Sequence, residues 1–169
     1  MAATATYSAS MRTRKTSSSG NAKSAVACQE YYDDSYNYVG IVHFSGMALS
    51  GKVITGISLR VKADQAGYGG GHTKTVYVRK SKYQAVSQSG VTGGSYYGDA
   101  LGTFTGSFYG NTTTYTLSGS LLTNMAAYLA EGNNTICLFN PSPVKSSQGY
   151  STNYLQWSAC SIAVTYEEA

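Results

Sequence analysis

The sequence predicts an all-β protein, an antiparallel β-sandwich carrying one short helix at about residues 119–131. Three observations carry that expectation. From Val53 to Lys62 two sets alternate, Val53, Thr55, Ile57, Leu59 and Val61 against Ile54, Gly56, Ser58, Arg60 and Lys62, which is the period of a strand with one buried face. Immediately before it, Val39, Ile41 and His43 alternate with Tyr38, Val42 and Phe44, apolar on both sides, as suits a central strand covered above and below. The convincing helical pattern is Leu121, Leu122, Met125, Tyr128 and Leu129, with Ser118 or Ser120 placed to cap its start and Gly132 just past its end.

The remaining elements follow in chain order. Thr4 to Thr13 alternates and reads as an edge strand or an arm laid on a neighbour, and Lys15 to Ser24 has the composition of a linker. Residues 1–24 are therefore expected to form an N-terminal strand and linker, and residues 25–169 the sandwich. A short strand through Val26 precedes a tyrosine-rich loop that surrounds Glu30, Asp33 and Asp34. Gly and Ser in SGMALSGK reverse the chain between the two central strands. Thr73 to Lys80 is a further strand, with Val76 and Val78 inward and Lys74 and Lys80 outward. Ser81 to Asp99 lacks apolar periodicity and reads as loops that leave Tyr83, Tyr96 and Tyr97 partly exposed. Leu101–Tyr109 and Thr112–Leu117 look like a hairpin turned at Tyr109-Gly110-Asn111. After the helix come a buried strand at Asn134–Phe139, a polar loop from Pro141 to Asn153, and a closing strand from Tyr154 to Tyr166. In that last strand Cys160, Ile162 and Val164 share one face while Leu155 and Trp157 take the other.

Composition narrows the function classes. With 169 residues, 42% of them hydrophobic, the chain can bury the core of one domain. Only 12% of residues are charged, against about 25% in ordinary domains, while Gly (19) and Tyr (16) are abundant. A surface built from Tyr, Ser, Thr, Gly and Asn resembles those of extracellular and virion β-proteins, which bind through rigid aromatic area and adaptable hydrogen bonds. The net charge of +4 is weighted towards Arg12, Arg14, Lys15 and Lys23, and with no aromatic–basic RNA motif beside them these read as a solvated arm. Cys28, Cys137 and Cys160 lack any framework spacing and read as small buried hydrophobes. The opening MAATATYSAS lacks a signal-peptide pattern, and no stretch approaches membrane-spanning length.

Catalytic constellations are sparse. Neither His43 nor His72 lies near a nucleophile signature, and His43, inside an apolar strand, reads as a hydrogen-bonded core residue. Asp33-Asp34, Asp64 and Asp99 stand in separate loops, and Glu167-Glu168 reads as a solvated tail, so no carboxylate pair spans a cleft as glycosidase chemistry requires. Asp64–His72 is glycine-dense, but no Gly-Lys-Ser/Thr follows and a strand comes next, so it reads as a hairpin connection and not a phosphate cradle. Glu30, Asp33 and Asp34 form an incomplete calcium signature, and no metal or cofactor is expected.

The order of the pieces, YVGIVHFSGMALSGKVITGISLRVKAD, TKTVYVRKS, SLLTNMAAYLAEGNN, NTICLFN and YLQWSACSIAVTYEE, resembles the DNRLRE-type β-sandwich domains over about Tyr38 to Tyr166. That resemblance implies jelly-roll topology like that of many carbohydrate-binding modules, and occurrence in bacterial surface proteins and phage tail or fibre proteins. The chain departs from the family where an acidic residue is usual, having His43-Phe44-Ser45-Gly46, so no metal or ligand chemistry transfers to that position. Tyr31, Tyr32, Tyr36, Tyr68, Tyr96, Tyr97, Tyr109 and Tyr150 fall at expected strand ends, where flat rings and hydroxyls suit sugar or protein contacts. The expected function is a non-enzymatic bacteriophage virion protein of tail, baseplate or head decoration. Its expected partners are other virion proteins, further copies of itself and a host-surface glycan, without membrane insertion or nucleic acid. The alternative is a carbohydrate-binding module of a bacterial surface protein, located outside the cell or on its surface.

Overall fold

A computed structural model of the chain describes residues 1–15, 21–23, 26–27, 38–66, 73–86, 90–107, 110–139 and 155–169. Its strands are β1 (Ala3–Lys15), β2 (Asn21–Lys23), β3 (Val26–Ala27), β4 (Tyr38–Phe44), β5 (Val53–Ala66), β6 (Thr73–Ser81), β7 (Tyr97–Ser107), β8 (Thr112–Thr116), β9 (Thr135–Phe139) and β10 (Leu155–Glu167). Helix α1 spans Gly119–Ala130, matching the periodicity that predicts it, and Gly132 follows at φ +98°. Ser118 occupies the cap position, but its hydroxyl makes no capping bond; its carbonyl accepts from the Leu122 N–H instead.

The described strands form one antiparallel sheet in the order β7-β6-β9-β4-β1-β10-β5-β8, with β2 beside β1 and β3 beside β10. The sheet folds over on itself at β1. Ala3–Ser8 pair with β10, and Ala9–Lys15 pair with β4. The strand expected as an edge or an arm is thus an edge of each layer and the seam that joins them. Taking the eight long strands in chain order, one layer reads first-last-third-sixth and the other second-seventh-fourth-fifth. That is the strand order of a jelly roll.

Between the layers lies the main core, with Phe44, Leu59, Val76, Leu101, Met125, Leu138, Trp157 and Ile162 among its buried members. Burying each large apolar side chain contributes about 1.5–3 kcal/mol. The doubly apolar pattern of β4 also has its cause. Val42 and Phe44 enter the main core, whereas Val39 and Ile41 join Tyr96 and Cys137 in a second cluster on the outer face. That cluster is covered by Tyr83, Val86, Val91 and Tyr97 from the segment that follows β6.

Alternation fails where the ladders slip. Between Thr165 and Tyr166 of β10, the partner on β5 jumps from Gly56 to Ile54, which leaves Thr55 as an extra residue. Since one extra residue inverts every side chain beyond it, Ile54 packs on the core while Val53 stands 49% exposed. Ser158 is extra in the same way between Trp157 and Ala159. Trp157 therefore faces the same core as Cys160, Ile162 and Val164, not the opposite face that unbroken alternation predicts.

The expected hairpin of the seventh and eighth strands is also corrected. β7 pairs with β6 and β8 with β5, so the connection crosses from one layer to the other. Their side chains still meet. The Phe104 and Tyr115 rings lie 5.4 Å apart across the gap, and the Tyr115 hydroxyl donates to the Ser107 carbonyl at 3.1 Å. Periodicity encodes which face is buried, and two strands in facing layers satisfy it as well as two hairpin partners do.

One polar knot ties the helix to the sheet. The Tyr128 hydroxyl donates to the Thr135 carbonyl at 2.5 Å and accepts from the Ser81 N–H at 3.0 Å and the Gln84 amide at 3.1 Å. Gln84 Oε1 in turn accepts from the N–H groups of Asn134 and Thr135 at 2.8 and 3.0 Å. The Tyr128 ring buried with the helix's apolar face thus brings a hydroxyl whose buried partners would each cost about 1–3 kcal/mol if left unmet.

Candidate functional site

Antiparallel pairing sorts the connections between two ends of the sandwich. At one end lie the finish of β1 beside the start of β4 (Lys15 with Tyr38), the finish of β5 beside the start of β10 (Ala66 with Leu155), and the start of β6 beside the finish of β7 (Thr73 with Ser107). The start of β8 (Thr112, opposite Lys62) belongs to the same end. Segments 28–37, 67–72, 108–109 and 140–154 leave from these strand ends. They hold Tyr31, Tyr32, Tyr36, Tyr68, Tyr109 and Tyr150, which lie outside the described residues, as do His72, the cluster of Glu30, Asp33 and Asp34, and Cys28.

The other two candidate tyrosines belong elsewhere. Tyr96 and Tyr97 stand where β7 begins, at the opposite end of the sandwich, near α1. Tyr96 is fully buried, its ring meeting Tyr83 edge-on with centroids 5.1 Å apart, and so offers no face to a ligand. This corrects its expected exposure, and the reason is that the 3₁₀ turn Gly93–Tyr96 folds back over β4 and β9. The Tyr97 ring lies half-buried under the Arg79 guanidinium, 5.6 Å from its centroid. Burial, then Cys137, push its hydroxyl well above the ordinary range, with Arg79 opposing. Neither residue extends the group of six.

His43 is half-buried, with Nδ1 2.9 Å from the Thr135 hydroxyl. That contact is the hydrogen-bonded role its strand position suggests, and the Thr135 hydroxyl also lies 3.2 Å from Asn134 Oδ1. Glu168 is not merely solvated. Lys52 reaches it at 2.5 Å, a surface pair contributing at most about 1 kcal/mol. Among the described residues no group of three or more His, Cys, Asp or Glu side chains could hold a metal ion. No helix there is long and apolar enough to cross a membrane.

Cys137 and Cys160 are free and buried, and burial pushes both thiols up to about 12 from an ordinary value of 9.0. In the unfolded chain the thiols lose their protons from about pH 9, whereas the folded chain keeps them to about 12. The unfolded state therefore binds fewer protons within that window, and stability falls as pH rises through it. Thermal melts below and above pH 9 should show this decline, and it should be shallower in a Cys137→Ala, Cys160→Ala variant. An equal slope in that variant would assign the loss to other groups.

A feature that periodicity did not expose lies on the open side of the fold. Among the described residues β7 and β8 each have a single neighbour, and between them runs a slot of about 330 Å³ lined by Thr103, Phe104, Thr105, Thr114, Tyr115 and Thr116. β8, TTTYT, and the LGTFTGS part of β7 carry neither charge nor proline, the residues that commonly guard natural edges; in β7 the exposed Asp99 stands nearer the start. Part of β7 is covered, since Asn124 donates to the Leu101 carbonyl at 2.8 Å. Tyr115 covers its far end, where the hydroxyl donates to the Ser107 carbonyl.

No protein-family model matches the chain, and no curated protein matches it either.

Proposed function

We propose that the protein is a non-enzymatic structural or attachment component of a bacteriophage virion, in the tail, baseplate or head decoration. The observation that supports this best is the sorting of strand ends: the flanks of every segment that holds one of the six remaining candidate tyrosines lie at one end, away from α1. Tyrosine-rich segments whose flanking strand ends share one end of a sandwich suit recognition by aromatic area and hydroxyls. The edge of β8, which carries no charge, and the uncharged stretch Leu101–Ser107 of β7 suit assembly with further copies or other virion proteins by strand pairing. On this reading the chain is a distant relative of the DNRLRE-type domains, acting inside a particle assembled in the host cytoplasm. Mass spectrometry and electron microscopy of purified particles from a producing strain test it, and absence of the chain from them would refute it.

A carbohydrate-binding module on a bacterial surface is the second reading, supported by the same one-ended arrangement. It expects the isolated monomer to bind a glycan, with affinity falling at least tenfold when Tyr31, Tyr32 and Tyr36 are changed to Ala. The virion reading expects a stable oligomer in solution, so sedimentation separates the two.

A further inference from the structure

We propose that the outer face of the layer β1-β10-β5-β8 holds a second binding site, in which Arg60 and Lys62 clasp the oxyanion of an acidic saccharide. It does not rest on the tyrosine-bearing end. The ladders place its parts. Ser8 pairs with Ser161, Ser161 with Arg60 and Arg60 with Thr114, forming one row across four strands. Ala159, Lys62 and Thr112 form the next. Because Leu59, Val61, Cys160 and Ile162 point into the core, both rows point outwards. Strands stand about 4.8 Å apart and successive outward residues about 6.8 Å, so two cationic heads and several hydroxyls surround a patch about one sugar ring wide.

There is a hollow at that place. It measures about 270 Å³, and Ser8, Arg60, Lys62, Thr112, Ala159 and Ser161 line it. Ala159 leaves room at its centre, next to the extra residue Ser158, and such irregularities often adjoin binding sites. Among the described residues no acidic side chain lines it. Neither the Arg60 guanidinium nor the Lys62 ammonium has an ion-pair or hydrogen-bond partner among the described residues, whereas Lys52, just before the start of β5, is paired. Two cations two residues apart on one strand, unpaired among the described residues, raise the local potential, and an anion relieves it. Arginine matches a planar oxyanion in bidentate fashion while lysine adds a point charge. The flanking hydroxyls supply donors and acceptors for sugar hydroxyls.

The same face argues against nucleic acid. Among the described residues no aromatic side chain lines the hollow to stack a base, and two cations fall short of the roughly 6–10 phosphate contacts of a duplex binder.

Titration of the full chain at low ionic strength, followed by amide NMR shifts, tests the proposal with glucuronate, glucose 6-phosphate, glucose, inorganic sulfate and a single-stranded oligonucleotide. Glucuronate or glucose 6-phosphate should bind saturably and shift Ser8, Arg60, Lys62 and Ser161; whichever binds tighter identifies the anion as carboxylate or phosphate. Binding should weaken at least tenfold in an Arg60→Glu, Lys62→Glu variant that melts like the parent, and should be untouched by Tyr31→Ala, Tyr32→Ala and Tyr36→Ala. The proposal is overturned by an absence of saturable binding to either acidic sugar or by equal binding of glucose. Sulfate or the oligonucleotide binding as tightly as the sugars would overturn it too, as would an unchanged affinity in the charge-reversed variant.

Discussion

A chain that begins at Thr16 will fail to fold. Its loss removes β1, which pairs through Ala3–Ser8 with β10 and through Ala9–Lys15 with β4. It also strips Tyr7, Ala9 and Met11 from the main core, along with the fully buried Thr13. Both β10 and β4 become unpaired edges, and the two layers lose the strand they share. Since net domain stability is about 5–15 kcal/mol, losing two ladders and part of the core exceeds it. The circular dichroism of the truncated chain should show no cooperative melt, and a synthetic Met1–Lys15 peptide should restore one by strand addition. A dispensable arm would give the reverse result, with the truncated chain melting within a few degrees of the parent.

Changing Gly102 to Ala should cost about 2–5 kcal/mol, combining backbone strain with overpacking. Gly102 sits at φ +146°, a conformation that residues with a side chain rarely adopt. An added Cβ would lie 3.0 Å from Leu121 Cβ, 3.1 Å from its Cα and 3.3 Å from its nitrogen. These are mostly backbone atoms of the first turn of α1, so no rotamer change relieves the contact. To accommodate the methyl group the helix must lift from β7, which would strain the Asn124 bond to the Leu101 carbonyl. Urea denaturation measures the change, with the exposed neighbour Thr103→Ala as a control expected within about 0.5 kcal/mol of the parent. A loss below 1 kcal/mol in Gly102→Ala would show that the helix docks loosely.

Much of the architecture is legible in the chain because burial leaves a periodic trace. The two-sided apolar run of β4, the alternation of Ile57, Leu59 and Val61, and the helical face of Leu121, Met125, Tyr128 and Leu129 all reappear as buried positions. What periodicity does not carry is partnership. The extra residues Thr55 and Ser158 invert the faces of Ile54 and Trp157, and each depends on the register of a strand distant in sequence. Likewise, β7 and β8 look like a hairpin because a strand crossing to a facing layer keeps the same alternation. Tyr96 looked like a loop residue because its burial comes from a segment without period folding over Val39 and Ile41. For the candidate site, residue type was informative and location was not. The tyrosines were visible, but the ladders alone reveal that the strand ends flanking six of them share one end and that Arg60 and Lys62 share a row-by-row surface with serines and threonines.

The division of connections between the two ends also bears on how such a protein can change over time. Insertions or replacements in segments 28–37, 67–72, 108–109 and 140–154 alter none of the described ladders and do not touch the Tyr128 knot. That pole can therefore drift rapidly in sequence and length while the helical pole stays fixed, giving a framework on which new specificities can be grafted without refolding the body.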